Sequence, residues 1–322
     1  MRRLAVVIVN YRTPELTLGA LASLAGELDR DRDRALVVDN ASGDGSAEVI
    51  EAAIHAKGWR EWARVIRSPD NGGFSAGNNV GLAAESAEFY LLLNSDAYVR
   101  PGAIAELLRA AGGRARAGIV SPRLEWPDGT AQISCFRFRS PASELIEAAG
   151  TSVVTRLLSR WDVPLPVSDA PLSPAWTSFA CVLLHREVLE TLGPMDDGYF
   201  MYFDDVDYCR RAWRSGFEVL HWPAARVVHL RGGTSPLKAA IAARRPPPPY
   251  YYHSRARYFA KFYGRYGLWF ANLAWWAGRT VSLLRETFGA KQAHTCEGAG
   301  RDIWRHSLDP FASLARTREE AR

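Results

Sequence analysis

The segment Phe89-Tyr90-Leu91-Leu92-Leu93-Asn94-Ser95-Asp96 places five apolar or aromatic residues directly before three polar ones. An apolar run without alternation predicts a strand that is buried on both faces, as in a parallel sheet covered by helices. Two earlier runs have the same construction: residues 4–9 precede Asn10-Tyr11, and residues 35–38 precede Asp39-Asn40. With a further strand near residues 63–67, the first hundred residues contain four predicted strands.

Helical segments separate these strands. Thr13-Pro14-Glu15 is typical of a helix start, with an N-cap threonine, a proline at the first helical position and an acid in the first turn. A second helix is predicted around residues 47–56. This alternation indicates a parallel sheet with right-handed crossovers, in which ligands bind beyond the carboxyl ends of the strands. We therefore expect the three polar strand ends to lie at one ligand-binding edge.

The remainder of the chain is predicted in less detail. A turn is expected at Trp126-Pro127-Asp128-Gly129, followed by an irregular insert or loop region over residues 136–174. A strand at residues 180–184 and a helix at 186–192 precede an acidic helix that runs to about Ser215. Two strands at 217–220 and 226–230 complete the predicted core, and four prolines at 246–249 form a stiff linker. Amphipathic helices and a frayed C-terminus are predicted beyond this linker.

Composition and charge limit the class of protein. The 322 residues are 48% hydrophobic and 23% charged, which excludes wholesale disorder. From Lys238 to the C-terminus there are 15 basic and 6 acidic residues, interleaved with aromatic ones, so this tail is basic while the rest is slightly acidic. Such a surface suits nucleic acid, anionic lipid or a phosphorylated acceptor. The first apolar run is too short for a signal peptide, and the four cysteines, which form no C-x-x-C pair, are expected to be reduced.

Six segments stand in a fixed order over residues 4–235. They are Val7-Ile8-Val9-Asn10-Tyr11, Val37-Val38-Asp39-Asn40-Ala41-Ser42, Asn71-Gly72-Gly73-Phe74-Ser75-Ala76-Gly77-Asn78-Asn79, Leu92-Leu93-Asn94-Ser95-Asp96, Asp204-Asp205-Val206-Asp207 and Val228-His229-Leu230. Together they resemble family 2 glycosyltransferases of the GT-A fold, in particular bacterial rhamnosyltransferase-like enzymes of cell-wall and O-antigen assembly. The resemblance implies a mostly parallel sheet flanked by helices, formed by residues 1–240, with residues 1–100 binding the nucleotide and 101–240 the acceptor. Residues 241–322 form a basic, aromatic helical appendage.

A divalent cation, Mg²⁺ or Mn²⁺, is expected beside Asp96. A carboxylate at a strand end can hold such a cation against a diphosphate leaving group. The family usually has Asp-x-Asp here, whereas this chain has Asn94 at the first position. The resemblance adds His229 as a second metal ligand, followed by a flexible segment, Arg231-Gly232-Gly233-Thr234-Ser235, that can approach phosphate. Without the resemblance, Asn94-Ser95-Asp96 is better explained as a turn, and His229 as a core residue.

The nucleotide is expected to meet the first strand ends. The resemblance implies that Asp39 accepts hydrogen bonds from a pyrimidine ring, with Asn10 and Tyr11 lining the same pocket. The glycines of the segment 71–79 permit close approach of the backbone to a diphosphate or a sugar, and Asn78 and Asn79 are expected at the start of a helix, where they offer donors and acceptors. Asn71, Gly73 and Asn78 are the predicted contacts there. An Asx turn and an ordinary capped loop are the alternative explanations.

Catalysis is predicted at the acidic helix. Inversion by direct displacement needs one base to deprotonate the acceptor hydroxyl. The resemblance places Asp205 in this role and Asp204 in support, where the family carries Glu. Asp204 and Asp207 are expected to share a helix face from which Asp205 points away. We predict that Trp176 and Asp207 contact the acceptor, whereas Phe179, bulky where relatives often have glycine, suits core packing.

The predicted reaction moves rhamnose or a similar sugar from a dTDP- or UDP-linked donor to a glycan or polyprenyl-diphosphate glycan. The aromatic run around residues 266–284 predicts a helix that lies on a membrane surface or packs on protein, in a cytoplasmic enzyme at the inner face of the membrane. Self-association is open, and no nucleic acid partner is expected. Alternatives are an inactive glycan- or nucleotide-binding scaffold of the same fold, or a nucleotidyltransferase, which would want a basic glycine-rich loop after the first strand.

Overall fold

Eight strands form a mixed, mostly parallel sheet in the computed structural model, which describes residues 1–114, 116–231, 236–289 and 292–312. The strands are β1 Arg2–Asn10, β2 Asp33–Asp39, β3 Ala63–Arg67, β4 Ala87–Leu93, β5 Ala97–Val99, β6 Ala117–Glu125, β9 Cys181–His185 and β10 Glu218–His229. Their order in the sheet is β3-β2-β1-β4-β9-β6-β10-β5. A separate ribbon pairs β7, Cys135–Phe136, with β8, Trp176–Thr177. The GT-A type of architecture predicted from the sequence is therefore confirmed.

Helices cover this sheet. They are α1 Pro14–Leu24, α2 Ser46–Ala56, α3 Gly73–Ala84, α4 Ala103–Gly112, α7 Arg186–Leu192 and α8 Asp204–Arg214. Helix α3 lies very close to β1, because a methyl group at Gly81 would stand 2.3 Å from Val7 Cγ1 and one at Gly77 would stand 2.9 Å from Val9 Cγ1. These glycines therefore fix how closely the segment after β3 approaches the ends of β1 and β2.

The strands are less uniformly parallel than the alternation predicts. β1 runs parallel to β2 and β4, but β9 is antiparallel to β4 and β6, and the unpredicted β5 is antiparallel to β10. The two strands predicted at 217–220 and 226–230 are one strand, β10, with a register shift between Trp222 and Arg226. Pro223 lies in this shift, where its missing N–H cannot join the ladder.

The chain divides into two compact units, both discontinuous in sequence. The first comprises Met1–Phe136, Leu165–Asp197 and Asp204–Thr234; the second comprises Arg137–Pro164, Gly198–Phe203 and Ser235–Arg322. The predicted loop region 136–174 in fact contains helices α5, Pro141–Ala149, and α6, Ser152–Leu157. A capping box starts α5, in which Ser140 and Ser143 exchange side-chain and backbone hydrogen bonds. This reciprocal cap was missed because it lacks the usual Glu or Gln.

The C-terminal helices α9, Pro236–Ala242, α10, Pro249–Phe288, and α11, Ala299–Asp302, belong to the second unit. Helix α10 is interrupted at Gly264, which has φ 73°. A buried ion pair anchors it to α5: Arg255 Nε donates to Glu144 Oε2 at 2.8 Å, and Arg255 Nη1 donates to Asn272 Oδ1 at 2.7 Å. None of the helices within the described ranges is long and apolar enough to cross a membrane.

Candidate functional site

The ends of β1 and β2 form a hydrogen-bonded cluster around Asp39. Asn10 and Asp39 are opposite one another in the parallel ladder, and Asn10 Nδ2 donates to Asp39 Oδ1 at 2.8 Å. Ser42 donates twice, from Oγ to Asp39 Oδ1 at 2.6 Å and from its backbone N–H to Oδ2 at 3.1 Å. Asp39 is 5% exposed. An ionised carboxylate has about four acceptor positions, so Oδ2 retains capacity for a ring N–H.

Thr13 occupies the predicted N-cap position of α1, but its side chain connects this cluster to the residues after β4. Its side chain makes no capping hydrogen bond to α1; its hydroxyl lies 3.4 Å from Asn10 Oδ1 and 3.4 Å from Ser95 Oγ. Asn10 Oδ1 also accepts from Thr17 at 2.9 Å. The polar residues after β1, β2 and β4 are therefore neighbours, as their positions at parallel strand ends predict.

Tyr11 presents an exposed ring beside this cluster. The Arg12 guanidinium lies 5.1 Å from the centre of the Tyr11 ring, and Arg12 adopts a left-handed backbone with φ 57°. Two hydrogen bonds to Ser42 hold Arg12 in place, from its backbone N–H to Oγ and from Nε to the carbonyl oxygen, both at 3.0 Å. An exposed aromatic ring at the rim provides a surface on which a nucleobase can stack.

Asn40 organises the segment that precedes α3. Its Nδ2 donates to Asn71 Oδ1 at 2.9 Å and to the Gly73 carbonyl oxygen at 3.0 Å. Asn71 Oδ1 also accepts the Gly73 N–H at 3.0 Å, and Gly73 has φ +84°, which requires glycine or strain. Asn40 Oδ1 and Ser75 Oγ are buried without a hydrogen-bond partner in the described structure. The predicted residues Asn71 and Gly73 thus lie beside two buried polar atoms that a ligand can satisfy.

The asparagines of α3 lie further into the helix than predicted. Asn78 is in the second turn, is 1% exposed, and donates from Nδ2 to the Phe74 carbonyl oxygen at 2.9 Å. Asn79 pairs with the backbone N–H and carbonyl of Met195, at 2.9 and 2.8 Å. The expectation that they stand at the helix start is wrong. The Nδ2 of Asn78 is used within α3, and its contact with the donor remains a prediction.

Asp96 and His229 face one another across the β5–β10 pair. Ala97 is paired with His229 in this ladder, and the Leu230 N–H donates to the Asp96 carbonyl oxygen at 3.0 Å. Asp96 Oδ1 lies 3.4 Å from His229 Nε2, with both side chains largely buried. Neither Asp96 Oδ1 nor His229 Nδ1 has a hydrogen-bond partner among the described residues. Asn94 lies in the turn before them, where its carbonyl oxygen accepts the Ala97 N–H at 3.0 Å.

These two side chains fit a divalent cation that shares its coordination with a ligand. A carboxylate oxygen and an imidazole nitrogen are both metal ligands, and an unsatisfied buried carboxylate oxygen is costly without a partner. The described residues contain no cluster of three or more His, Cys, Asp or Glu that could hold a metal. Cations such as Mg²⁺ are commonly held by one or two protein groups together with substrate phosphates. The donor set is thus consistent with a cation bound together with a nucleotide diphosphate.

Gln132 supports His229 and was not predicted. Its Nε2 donates to the His229 carbonyl oxygen at 2.7 Å, and its buried Oε1 has no partner in the described structure. Gln132 follows the predicted turn at 126–129, which does occur, with Gly129 N–H donating to the Trp126 carbonyl oxygen. Nothing in the local sequence indicates this role, because the contact joins residues 97 positions apart. The predicted phosphate-approaching segment lies outside the described residues at positions 232–235.

The acidic helix α8 separates its three acids as predicted. Asp204 and Asp207 are buried, whereas Asp205 is partly exposed. Asp207 Oδ2 accepts from Arg211 Nε at 2.9 Å, and Arg211 also donates to the Leu192 and Pro194 carbonyl oxygens. Asp207 therefore forms a buried ion pair with Arg211, and its contact with the acceptor remains a prediction. Burial, and next the charge of Asp205, raise the pKa of Asp204 well above its ordinary value.

Helix α8 packs on the short strand β8, which carries Trp176. The Trp176 ring stacks on Phe136 with 4.1 Å between ring centres and is 9% exposed. Phe179 is buried and contacts Tyr208 edge-on at 6.2 Å, which agrees with the core role predicted for it. The convergence of Asp205 and Trp176 with the Asp96 site remains a prediction.

Comparisons with known proteins agree with this architecture. Residues 5–140 match the family described as Glycosyl transferase family 2. The chain is 28% identical over 246 residues, covering 70% of it and 75% of the relative, to N-acetylglucosaminyl-diphospho-decaprenol L-rhamnosyltransferase of Mycobacterium tuberculosis. It is 26% identical over 231 residues, covering 70% of it and 66% of the relative, to the low-salt glycan biosynthesis hexosyltransferase Agl10 of Haloferax volcanii.

Solved structures show the same fold at lower identity. The mannosyltransferase PcManGT from Pyrobaculum calidifontis, in complex with GDP-Man and Mn²⁺, has a TM-score of 0.58 and 16% identity, covering 100% of this chain and 85% of its own. Residues 1–349 of TarS from S. aureus have a TM-score of 0.52 and 14% identity, covering 96% and 80%.

Proposed function

We propose that the chain, whose residues 5–140 match the family 2 glycosyltransferases, is an enzyme of that family, and that it transfers rhamnose or a similar sugar, with inversion, from a dTDP- or UDP-linked donor to a lipid-linked glycan. The mycobacterial relative is named for an N-acetylglucosaminyl-diphospho-decaprenol acceptor, which supports a polyprenyl-diphosphate acceptor here. The hexosyltransferase relative supports the same reaction class with a different sugar.

One observation carries the proposal: Asp96 Oδ1, buried and without a hydrogen bond in the described structure, lies 3.4 Å from His229 Nε2 at the polar strand ends. Asp96 and His229 would hold Mg²⁺ or Mn²⁺, which when bound offsets the charge of the diphosphate leaving group. The Mn²⁺ in the mannosyltransferase complex supports this choice of cation. Gln132 keeps the His229 backbone in place through its 2.7 Å hydrogen bond.

The nucleotide is proposed to lie on the cluster around Asp39. Tyr11 would stack on the base, and Asp39 Oδ2 would accept a ring N–H, because the hydrogen bonds from Asn10 and Ser42 keep this carboxylate oriented. Asn40 Oδ1 and Ser75 Oγ would then find partners on the donor, since both are buried and unsatisfied in the described structure.

Asp205 is the proposed base. As the partly exposed acid of α8, it can accept the proton of the attacking hydroxyl, while Asp204 stays buried and Asp207 stays paired with Arg211. The acceptor oxygen then bonds to the anomeric carbon as the bond to the diphosphate breaks, which inverts that centre. General base catalysis of this kind contributes a factor of about 10² to 10⁴.

The acceptor is proposed to reach the enzyme at a membrane surface. The exposed face of α10 carries an uncharged series of apolar residues, here named the exposed stripe: Tyr266, Trp269, Phe270, Leu273, Trp276, Leu283, Leu284 and Phe288. At about 100° per residue these positions fall on one side of the helix, because they recur mostly at intervals of three, four or seven residues. Tyr and Trp favour the interface between lipid headgroups and hydrocarbon, so the stripe suits peripheral binding at the inner face of a membrane.

The direct test is transfer from a panel of nucleotide sugars to an N-acetylglucosaminyl-diphospho-prenol acceptor, with Mn²⁺ or Mg²⁺ present. We expect one donor to be consumed and the new linkage to be inverted, as judged by NMR of the product. Nucleotide binding without transfer or donor hydrolysis, for every donor tried, would identify a scaffold and reject the enzyme.

A further inference from the structure

We propose that Tyr251 is a positioning residue for Asp205, which extends the proposed function and rests on the role of Asp205 as the base. The backbone directly before α8 is strained. Tyr202 and Phe203 both adopt a left-handed conformation, with φ 68° and 64°. Such a backbone is an outlier for bulky side chains, because it brings Cβ too close to a carbonyl oxygen. Phe203 is joined to Asp204, the first residue of α8.

Strained backbone of this kind is concentrated beside the candidate site. Seven residues other than glycine have positive φ in the described ranges, and five of them lie within two positions of a proposed site residue. Arg12, Ala41 and Arg231 occur singly, whereas Tyr202 and Phe203 are consecutive. Strain persists only where surrounding contacts over-determine the conformation, and it clusters at active sites. The pair before α8 therefore requires contacts that hold it.

The rings that hold this pair belong to the start of α10. The centres of the Tyr250 and Tyr251 rings lie 6.1 and 6.0 Å from the centre of the Tyr202 ring. Tyr251 also lies 5.8 Å from the Phe203 ring, and Tyr258 lies 5.6 Å from it. These separations are within the range of roughly 4.5–7 Å for favourable aromatic pairs. We name Tyr250, Tyr251 and Tyr258 the aromatic clamp, in which Tyr251 contacts both left-handed residues.

Two further contacts reinforce the aromatic clamp. The Ser254 hydroxyl donates to the Met201 carbonyl oxygen at 2.9 Å, which fixes the peptide just before the left-handed pair. The Arg139 guanidinium lies 5.2 Å from the centre of the Phe203 ring, and Phe203 is 5% exposed. A cation–π contact of this kind is stronger where water is excluded. Helix α10 and Arg139 therefore impose on this segment a conformation that its own sequence does not favour.

The conformation of Phe203 decides where the first turn of α8 begins. Asp205 Oδ1 accepts the Val206 N–H at 2.8 Å, so that turn orients its carboxylate. Rotation about the backbone of Phe203 would move the turn and the carboxylate together. A displacement of about 1 Å can lower a rate by about 10²-fold, because a general base must lie within hydrogen-bond reach of the proton that it removes. Tyr251 is thereby linked to the reaction through Asp205, without contacting the substrate.

Packing alone gives a different expectation from positioning. If Tyr251 only stabilises the second unit, its replacement lowers the melting temperature, and any loss of activity is the same whether or not Asp205 is present. If Tyr251 positions Asp205, the loss of kcat disappears once the base has been removed.

The first test combines Tyr251→Leu with Asp205→Asn. It measures transfer to N-acetylglucosaminyl-diphospho-prenol from dTDP-rhamnose or UDP-glucose, whichever the wild type consumes. We expect Tyr251→Leu to lower kcat at least tenfold, with the Kd of the nucleoside diphosphate within twofold of the wild type. In the Asp205→Asn background the same replacement should change kcat by less than twofold. Tyr251→Phe, which keeps the ring, should retain kcat within twofold.

Trp275→Leu is the matched control. Trp275 is another buried aromatic residue of α10 and packs with Ala148 and Ile303. Its replacement should lower the melting temperature but leave kcat within twofold of the wild type, because the left-handed pair keeps its contacts.

A second test changes the backbone preference at residue 202 and leaves α10 intact. Tyr202→Asn and Tyr202→Val both remove the ring, but asparagine tolerates a left-handed backbone and the β-branched valine opposes it. We expect kcat to be at least fivefold lower in Tyr202→Val than in Tyr202→Asn, with equal Kd values for the nucleoside diphosphate.

Hydrogen exchange provides a readout that does not need activity. The amides of residues 207–209 close the first turn of α8 on the carbonyl oxygens of residues 203–205. They should exchange at least tenfold faster in Tyr251→Leu than in the wild type, and within twofold of it in Trp275→Leu. Unchanged exchange, equal kcat losses in the two Asp205 backgrounds, or equal kcat for the two replacements of Tyr202 would each overturn the proposal. A wild type that transfers no sugar rejects the proposed function, and the exchange rates still decide whether Tyr251 positions α8.

Discussion

Asp205 and Asp207 are two residues apart on α8 but have different surroundings. Asp207 is 1% exposed and bonded to Arg211, whereas Asp205 is partly exposed. Replacing Asp205 should therefore affect activity, whereas replacing Asp207 should affect stability, although the sequence alone presents these acids as one cluster.

We predict that Asp205→Asn lowers kcat by a factor of about 10² to 10⁴, the usual contribution of a general base. The Kd of the nucleotide, measured by calorimetry, should stay within twofold because the donor site is unchanged. Asp207→Asn is the matched control. It should lower the free energy of unfolding by roughly 1–3 kcal/mol, since it leaves Arg211 without its charged partner. Equal activities of Asp205→Asn and wild type would eliminate Asp205 as the base.

The raised pKa of Asp204 gives a prediction for stability against pH. Burial and the neighbouring charge of Asp205 make the neutral form favourable in the folded state, so the unfolded state releases this proton at lower pH. The wild type therefore loses stability as the pH rises from about 4, the ordinary value for Asp, through the raised value. Asp204→Asn lacks this loss, so its stability relative to wild type should grow with pH. Urea unfolding of both proteins at several pH values measures this stability difference. A difference that does not change with pH would contradict the raised pKa of Asp204.

Site residues could be predicted from the sequence where they stand at the end of an apolar strand. Asn10, Asp39 and Asp96 follow apolar runs, and parallel pairing brings such strand ends together. The position of Asn40 in the site could also be predicted, because it directly follows Asp39. The role of Gln132 could not be predicted, since its hydrogen bond to the His229 carbonyl oxygen depends on a long-range contact. Thr13 does occupy the predicted N-cap position, but the sequence did not indicate that its hydroxyl lies beside Asn10 and Ser95 and makes no capping bond to its own helix.

Among the elements, those with a strong local pattern were predicted well. The strand at residues 63–67 and the helix at 186–192 agree with β3 and α7. The direction of β9 could not be predicted, because a short buried strand has the same composition in parallel and antiparallel neighbours. Helices α5 and α6 were missed in a proline-rich segment whose periodicity is interrupted by short connections.

The packing of α3 gives a prediction at the scale of elements. Gly81→Ala should lower the free energy of unfolding by roughly 1–3 kcal/mol, as for other overpacked sites, because the added methyl would meet Val7 at 2.3 Å. Gly112→Ala, at the end of α4 with nothing within 4 Å, is the control. It should stabilise by up to about 1 kcal/mol through helix propensity. Chemical denaturation of both variants measures these free energies of unfolding. An unchanged free energy of unfolding in Gly81→Ala would show that α3 is free to move away from β1.

At the scale of the whole molecule, the predicted domain boundary at residue 240 divides the chain into two continuous segments, whereas each compact unit combines several separate segments. Residues 137–164 and 198–203 group with the C-terminal helices. The basic tail is also not a loose appendage in its described part, since Arg255, Glu144 and Asn272 form a buried cluster between α10 and α5. Linear composition identifies such a tail but cannot show which earlier segments fold with it.

The central claim is that Asp96 and His229 hold a divalent cation against the diphosphate of a sugar nucleotide. Calorimetric titration of UDP and dTDP with and without Mn²⁺ tests it most directly. We predict that Mn²⁺ tightens binding by about tenfold or more, or at least about 1.4 kcal/mol, in the wild type. This gain should be lost in Asp96→Asn and reduced in His229→Gln, while metal-free binding persists. An undiminished Mn²⁺ effect in both variants would contradict the account.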